Sequence, residues 1–501
     1  MGFIRLRRYL PVNYLLILSF SILVLAVMGY HPGFEDDGIY LTAVKFKLNP
    51  ALFPHDSSFF LFQMQASFFD NWVAGFVRWT GIPLSVTELL WQFISIALIV
   101  LGCWMIARKL FSEARAQWAG VALVTAMFTL PVSGTALYIV DQHLHPRNMT
   151  TALILLAASR ILSRKNWQAV PFLLLSAMLH PLMAAFGVSF CFFLAMVLLV
   201  PPLSYWLRRR RAPEGGSGAS AIIPLGWVFE PPTPAWREAL GTRNYLFLSR
   251  WAWYEWLGAW APLLLFWLLW RIACKRGEML LARFALAVFL YGVFQMAIAF
   301  VMLGFPALDR LVPLQPMRFL HLVYIFMFLV GGCLLGKYLL KASIWRWAVF
   351  LLVINAGMYA SQRLQFSGSQ HLELPGCVSA NPWLQAFDWI RQNTPADAYF
   401  ALDPEYMAAP GEDYHSFRAL AERSQLADFI KDTAVVTQIP KMAEVWNRQI
   451  QAQKGWTRFQ LADFERLKAE FGVNWVLVAY PQPAGLACQW HNDSLTVCRI
   501  P

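Results

Sequence analysis

The residues in this chain best suited to chemistry are three adjacent carboxylates, Glu35-Asp36-Asp37, set between Phe34 and Gly38. Acids this close repel one another, so at least one holds its proton unusually tightly unless a cation or a donor compensates. Such a cluster can supply a general base or bind a divalent metal, and it reads equally well as a solvated acidic loop. A second group, Asp141, His143, His145 and Arg147, occupies alternate positions of one short stretch. A His-x-His pair beside an Asp suits a metal, and an Arg next to it suits a phosphate; capping and interfacial hydrogen bonding are the plainer use of the same residues. His180-Pro181 puts an imidazole at a break in a hydrophobic run, where it is either functional or a satisfied core histidine. Asp309-Arg310 and Arg318-Phe319-Leu320-His321 lie on either side of Pro313 and Pro316. The planar guanidinium never loses its charge and grips a lipid phosphate in two places, although headgroup anchoring uses it as well.

These residues need a membrane to position them. The chain has 501 residues, 58% of them hydrophobic and only 14% charged, with a mean hydropathy of +0.47; a soluble globular protein carries about 25% charged residues. Apolar runs long enough to cross ~30 Å of hydrocarbon recur over residues 13–360. A cytosolic enzyme is thereby excluded. The net charge of +12 gathers at helix ends such as Arg5/Arg7/Arg8, Arg108/Lys109, Arg164/Lys165 and Lys275/Arg276. Topology and anionic headgroups explain that pattern better than nucleic acid does.

The basic start and the apolar stretch 15–27 have the build of a secretory signal. No small-x-small cleavage site follows in Val27-Met28-Gly29-Tyr30-His31-Pro32, so the segment reads as an uncleaved first helix with its basic end inside. Helices are predicted at 85–107, 117–132, 149–162, 256–273, 279–303, 319–339 and 344–359. Residues 170–207 are too long for one crossing and are broken at His180-Pro181, which brings the total to about ten or eleven crossings. Residues 31–82, rich in aromatics, and 133–147 become external loops, the first of them lying in the interface. The aromatic segment 243–256 reads as an interfacial belt ahead of a carbohydrate platform. The topology of 166–252 stays open, because the arginines at 208–211 belong inside by charge while Trp251 belongs outside by count; 212–220 is a Gly/Ser-rich linker.

The predicted fold is therefore mainly α: a polytopic transmembrane helical bundle over 1–362 with an external C-terminal α/β domain over 363–501. That domain is read as helices at 382–392, 441–453 and 461–471 and strands at 398–402, 475–479 and 495–500. With residue 359 outside, it faces the periplasm or the extracellular space, where Cys488 and Cys498 can pair and leave Cys377 unmatched; whether they do is undecided. Cys103, Cys191, Cys274 and Cys333 read as small core residues. Arg418 and Arg423 either form ion pairs inside the domain or reach toward the membrane. There is no internal repeat and no glycine loop of the nucleotide-binding kinds.

A first helix followed by adjacent acids, a second charged external loop, a broken helix with a polar residue before proline, and an external α/β tail together resemble the GT-C superfamily of membrane glycosyltransferases. The nearest likeness is to uncharacterised bacterial branches. The segment Phe387-Asp388-Trp389-Ile390-Arg391-Gln392-Asn393-Thr394-Pro395-Ala396-Asp397-Ala398 looks like a phrase common in their external domains. The resemblance implies a sugar donor linked to polyprenyl phosphate, an acceptor in the cell envelope, contact with membrane lipids, and a site at the external face of a bacterial inner membrane. It implies that Asp36 or Asp37, with Glu35 beside them, is the first-loop acid acting as base or metal ligand. Asp141, His143 and His145 would join Asp37 around a divalent cation, Mg or Mn. Arg147, His180, Arg310, Arg318 and His321 would face the lipid phosphate. Many members have Lys before the proline of the broken helix, and His180 departs from that pattern. Two other classes compete: a lipid or glycan transporter or flippase, which should show an internal two-fold repeat and ionisable helix interiors, and a non-catalytic envelope-assembly protein.

Overall fold

The computed structural model of the chain describes residues 2–199 and 232–501. The arginines at 208–211, the linker at 212–220 and the apolar stretch 221–229 lie outside the described residues. Nine helices make up the first part: α1 (Gly2–Met28), α2 (Asp37–Leu48), α3 (Ser58–Ala66), α4 (Phe69–Thr80), α5 (Leu84–Leu110), α6 (Ala114–Ala126), α7 (Pro146–Leu162), α8 (Val170–Leu179) and α9 (Pro181–Leu199). Long apolar helices return at Trp253–Lys275, Met279–Gly304, Leu320–Leu335 and Ile344–Gln365. Among the described residues, six helices are long and apolar enough to cross a membrane, with Val12–Met28 and Asn166–Leu179 as shorter apolar ones. The chain is a multi-pass membrane protein, and its bundle is the polytopic one expected from the sequence.

Burial separates the centre of the bundle from its rim. Every residue of α7 except Arg160 is buried, its polar Arg147, Asn148, Thr150, Thr151 and Ser159 included, so this helix lies at the centre of the bundle. Ile344–Gln365 buries only Gln362, so its apolar side chains face outward, where lipid satisfies them. Close approach comes from small residues: a Cβ on Gly332 would stand 2.5 Å from the Ala119 carbonyl oxygen, so α6 and the Leu320–Leu335 helix meet backbone to backbone. The predicted break at His180 is the tip of a hairpin. Arg164, just ahead of α8, donates to the Leu198 carbonyl near the end of α9, so the two helices run out and back. At the tip Ser67 Oγ donates to the Leu179 carbonyl at 2.6 Å.

The C-terminal unit carries a five-stranded mixed sheet in the order β4-β3-β5-β7-β6, built from β3 (Tyr399–Ala401), β4 (Ser424–Gln425), β5 (Trp475–Ala479), β6 (Ala487–His491) and β7 (Leu495–Arg499); the two-residue β1 (Pro131–Val132) and β2 (Leu137–Tyr138) pair separately in the bundle. The strands read from the sequence are β3, β5 and β7. β4 is only two residues long, and β6 is an edge strand without a β-branched residue, so neither carries a strand signal. Cys488 and Cys498 are joined by a disulfide across β6 and β7, and Cys377 is free and exposed.

Residues 31–82 divide their aromatics: Phe59, Phe60 and Phe69 are buried, whereas Phe62, Phe68 and Trp79 are exposed, and the segment packs against the C-terminal unit through polar ties that the sequence does not pair. Lys45 meets Glu422 at 2.7 Å, the His55 ring stacks on Tyr399, and Arg418 bonds both Asp56 of the loop and Asp432 of its own unit. Arg423 is tied locally, to Thr394 and the Arg391 carbonyl.

Candidate functional site

The chain leaves α1 through Gly29 (φ +83°) and Gly33 (φ +82°), the left-handed conformations that favour glycine. From there the acidic triplet is held by backbone bonds to the C-terminal unit: Glu35 N–H donates to the Tyr414 carbonyl and Ser416 N–H to the Gly33 carbonyl, both at 2.8 Å. The same turn makes the three acids unequal. Asp37 is buried and its Oδ2 accepts the Gly33 N–H at 2.8 Å. Burial, and then the nearby Glu88 carboxylate, push its pKa well above the usual carboxylate value. Asp36 is half-buried, and burial alone would raise it too, but Lys431, His145 and Arg147 hold it well below that value. Asp36 is thus the ionised member of the pair. Lys431 Nζ lies 3.1 Å from Asp36 Oδ1 and 3.1 Å from Glu35 Oε2.

The second loop lies against the first. His145 caps α7, its Nδ1 accepting the Arg147 N–H at 2.9 Å with Pro146 in the first turn. Arg147 grips Asp141 through both Nε and Nη2, and with both histidines beside it the Asp141 carboxyl falls to about 2 despite its burial. Asn148 donates to the carbonyls of Asp141 and His143, so the turn is rigid from within. His145 Nε2 approaches Asp36 Oδ2 at 3.4 Å, and His143 Nε2 stands 3.9 Å from Asp37 Oδ1. Burial lowers both imidazoles, His143 to about 3, so both are neutral near pH 7. The His180 ring is 6.1 Å from that of His145.

A cavity of about 160 Å³ opens where the two loops, residues 243–318 and the C-terminal unit meet, and Glu35, Asp36, Tyr40, Arg243, Arg318 and Lys431 line it. Arg318 Nε is buried with no hydrogen-bond partner among the described residues. Arg243 is held by the Ile430 carbonyl and Thr433 Oγ1. Three of the lining residues, Glu35, Ala136 and Gln315, have positive φ without being glycine, out of nine such residues among those described. Backbone strain gathers at sites where the fold is constrained by something other than its own stability. Two carboxylates, Glu35 and Asp36, and three cations, Arg243, Arg318 and Lys431, line this small cavity, a charge arrangement that suits an anionic ligand.

The structure therefore brings Asp36, Asp37, Asp141, His143, His145, Arg147, His180 and Arg318 together, with Glu35 at the rim. Of the predicted residues only Glu35, Asp36 and Arg318 line the cavity itself; His321 and Arg310 do not line it, nor do Asp37, Asp141, His143, His145, Arg147 and His180. His321 Nε2 lies 2.8 Å from the Ile139 carbonyl and fixes the chain ahead of Asp141. Arg310 sits over the Trp236 ring and lines a neighbouring cavity of about 440 Å³. Sequence reading did not single out Lys431 or Arg243 for this cavity. Lys431 carries no local motif, and Arg243 is embedded in an aromatic segment that reads as an interfacial belt, with Trp253 and Tyr254 exposed.

The predicted metal set of Asp37, Asp141, His143 and His145 is only partly free for a divalent cation: both His143 nitrogens and His145 Nε2 are buried with no hydrogen-bond partner among the described residues, but other donors of the set are engaged. Both Asp141 oxygens are taken by Arg147, one Asp37 oxygen by Gly33, and His145 Nδ1 by its capping bond. Lys431 and Arg147 already supply the positive charge a cation would bring. Among the described residues, the one group whose ligand atoms gather within 4.8 Å of one another is His31, Glu373 and His415.

Residues 381–452, a stretch that holds His415, Arg418 and Lys431, match the family described as Domain of unknown function (DUF6798). No curated protein matches the chain. Among solved structures the chain is similar to the archaeal oligosaccharyltransferase AglB from Archaeoglobus fulgidus in complex with an inhibitory peptide and a dolichol-phosphate, with 12% identity, a TM-score of 0.46, and coverage of 94% of this chain and 70% of that one.

Proposed function

We propose that the chain is a glycosyltransferase that moves a sugar from a polyprenyl-phosphate carrier to a cell-envelope acceptor at the external face of a bacterial inner membrane. The observation that carries this reading is the cavity in which an ionised Asp36 faces Arg243, Arg318 and Lys431. In the proposed reaction the acceptor hydroxyl oxygen bonds to the anomeric carbon, and the bond from that carbon to the phosphate oxygen breaks. The electron pair leaves with the polyprenyl phosphate, and the hydroxyl proton passes to Asp36. Arg318, with its Nε unpartnered, and Arg243 receive the charge that builds on the leaving phosphate. Lys431 has a double task. When the donor's phosphate draws it away from Asp36, the carboxylate loses the neighbour that most depresses its pKa, and its basicity rises as the substrate arrives.

The test is binding of undecaprenyl phosphate to the purified full chain, followed by sugar transfer in membranes. Arg318→Gln is expected to weaken binding about 10- to 100-fold, the worth of one or two hydrogen bonds to a charged group. Unchanged binding together with unchanged transfer would remove Arg318, and this reading of the cavity with it.

The proposed orientation has its own check. Disulfides persist in oxidising compartments, and the Cys488–Cys498 bond supports an external C-terminal unit. Two free cysteines are exposed, Cys377 beside that unit and Cys274 at the basic end of Trp253–Lys275. A membrane-impermeant maleimide applied to intact cells is expected to label Cys377 and to reach Cys274 only after permeabilisation. The reverse pattern would invert the topology.

A further inference from the structure

We infer that His31, Glu373 and His415 form a binding site for a zinc-class divalent metal that fastens the loop carrying the acidic triplet to the C-terminal unit. This inference does not rest on the sugar-transfer reading. The three residues come from three distant segments and converge on one carboxylate: His31 Nδ1 lies 3.0 Å from Glu373 Oε1, and His415 Nε2 lies 3.1 Å from Glu373 Oε2. Both histidines are fully buried. Two imidazoles and one carboxylate are a zinc-type donor set, whereas magnesium and calcium prefer oxygen throughout.

The surroundings orient the ligands as an outer shell does. His415 Nδ1 donates to the Glu412 carbonyl at 2.9 Å, which aims Nε2 at Glu373. A carboxylate offers that nitrogen no proton, so Nε2 must carry either a second proton or a metal. The His31 ring is stacked on Phe366 with centroids 3.6 Å apart, and its second nitrogen, Nε2, is buried with no partner among the described residues. Gly29 makes room for it: a Cβ there would stand 2.8 Å from His31 Nε2 and 2.8 Å from the His371 carbonyl. An ion has a way in, because Glu373 also lines an open cleft of about 570 Å³ together with Tyr30 and Pro32. Three protein ligands leave a fourth position for water from that cleft.

The site has a mechanical consequence. Tyr30 bridges to Leu372 and Phe34 to His415, so the metal would lock the chain leading into the acidic turn onto two segments of the C-terminal unit. Asp36 would then be held in register with Lys431 by coordination as well as by hydrogen bonds.

The full chain, purified in detergent and stripped with a chelator, should take up one equivalent of zinc per chain by metal analysis, with a melting temperature several degrees higher. Cobalt in place of zinc should give visible absorption of four-coordinate intensity. His31→Gln/His415→Gln should lose that equivalent and the thermal shift, while His143→Gln/His145→Gln should keep both. No uptake by the wild-type chain, or an equivalent retained by His31→Gln/His415→Gln, would overturn the site. The wild-type measurements decide the matter even if the double variant does not fold.

Discussion

Replacing Asp36 with Asn is expected to lower sugar transfer by about 10²- to 10⁴-fold, the range over which a positioned proton acceptor acts, while leaving binding of undecaprenyl phosphate intact or stronger. Binding survives because the substitution removes a negative charge from a cavity that keeps Arg243, Arg318 and Lys431. The same substitution at Asp37 should be milder, since burial and the nearby Glu88 already disfavour its charged form, which asparagine lacks. A pH profile sharpens the assignment. Lys431 holds the Asp36 pKa down in the free protein, so the acid limb of wild-type kcat/KM lies below the ordinary carboxylate range; in Lys431→Met that pKa rises, and this limb must move to higher pH. Wild-type rates in Asp36→Asn, or a limb that stays in place in Lys431→Met, would mean that the proton goes elsewhere.

The second large effect concerns stability. Arg418 is buried and bonds Asp56 through Nε and Asp432 through Nη1 and Nη2, the last two at 2.6 and 2.8 Å. Arg418→Met leaves the three buried carboxylates of Asp56, Asp428 and Asp432 without that counter-ion, a loss of about 3–5 kcal/mol. Unfolding of the full chain should show it as a lower midpoint. Adding Asp56→Asn and Asp432→Asn should recover part of the loss, because neutral groups no longer require the cation; the three changes share one network and are not additive. A change below about 1 kcal/mol in Arg418→Met would show that water reaches these acids.

Composition and periodicity made the bundle and the tail legible, because lipid leaves a helix few alternatives and an α/β domain announces its inner strands by β-branched residues such as Val476 and Val478. The acids at 35–37 and the stretch 141–147 were legible as chemistry from residue type alone. Their separate characters were not, since Asp36 and Asp37 differ only in what surrounds them: a lysine in one case, and burial with Glu88 in the other. Partners distant along the chain left no trace. Lys431 is 395 positions from Asp36, and Glu373 is 342 from His31. Nor could spacing show that both Asp141 oxygens are spent on Arg147, which is what removes Asp141 from the expected metal set.

Lys431 belongs to the far end of the chain, whereas the acids it faces belong to the beginning. A ribosome therefore makes the carboxylates first and their lysine hundreds of residues later. Throughout that interval the nascent polypeptide presents these acids without the lysine that faces them in the finished fold. The cavity is finished only when the segment that carries Lys431 and Gln438 has been synthesised and has docked.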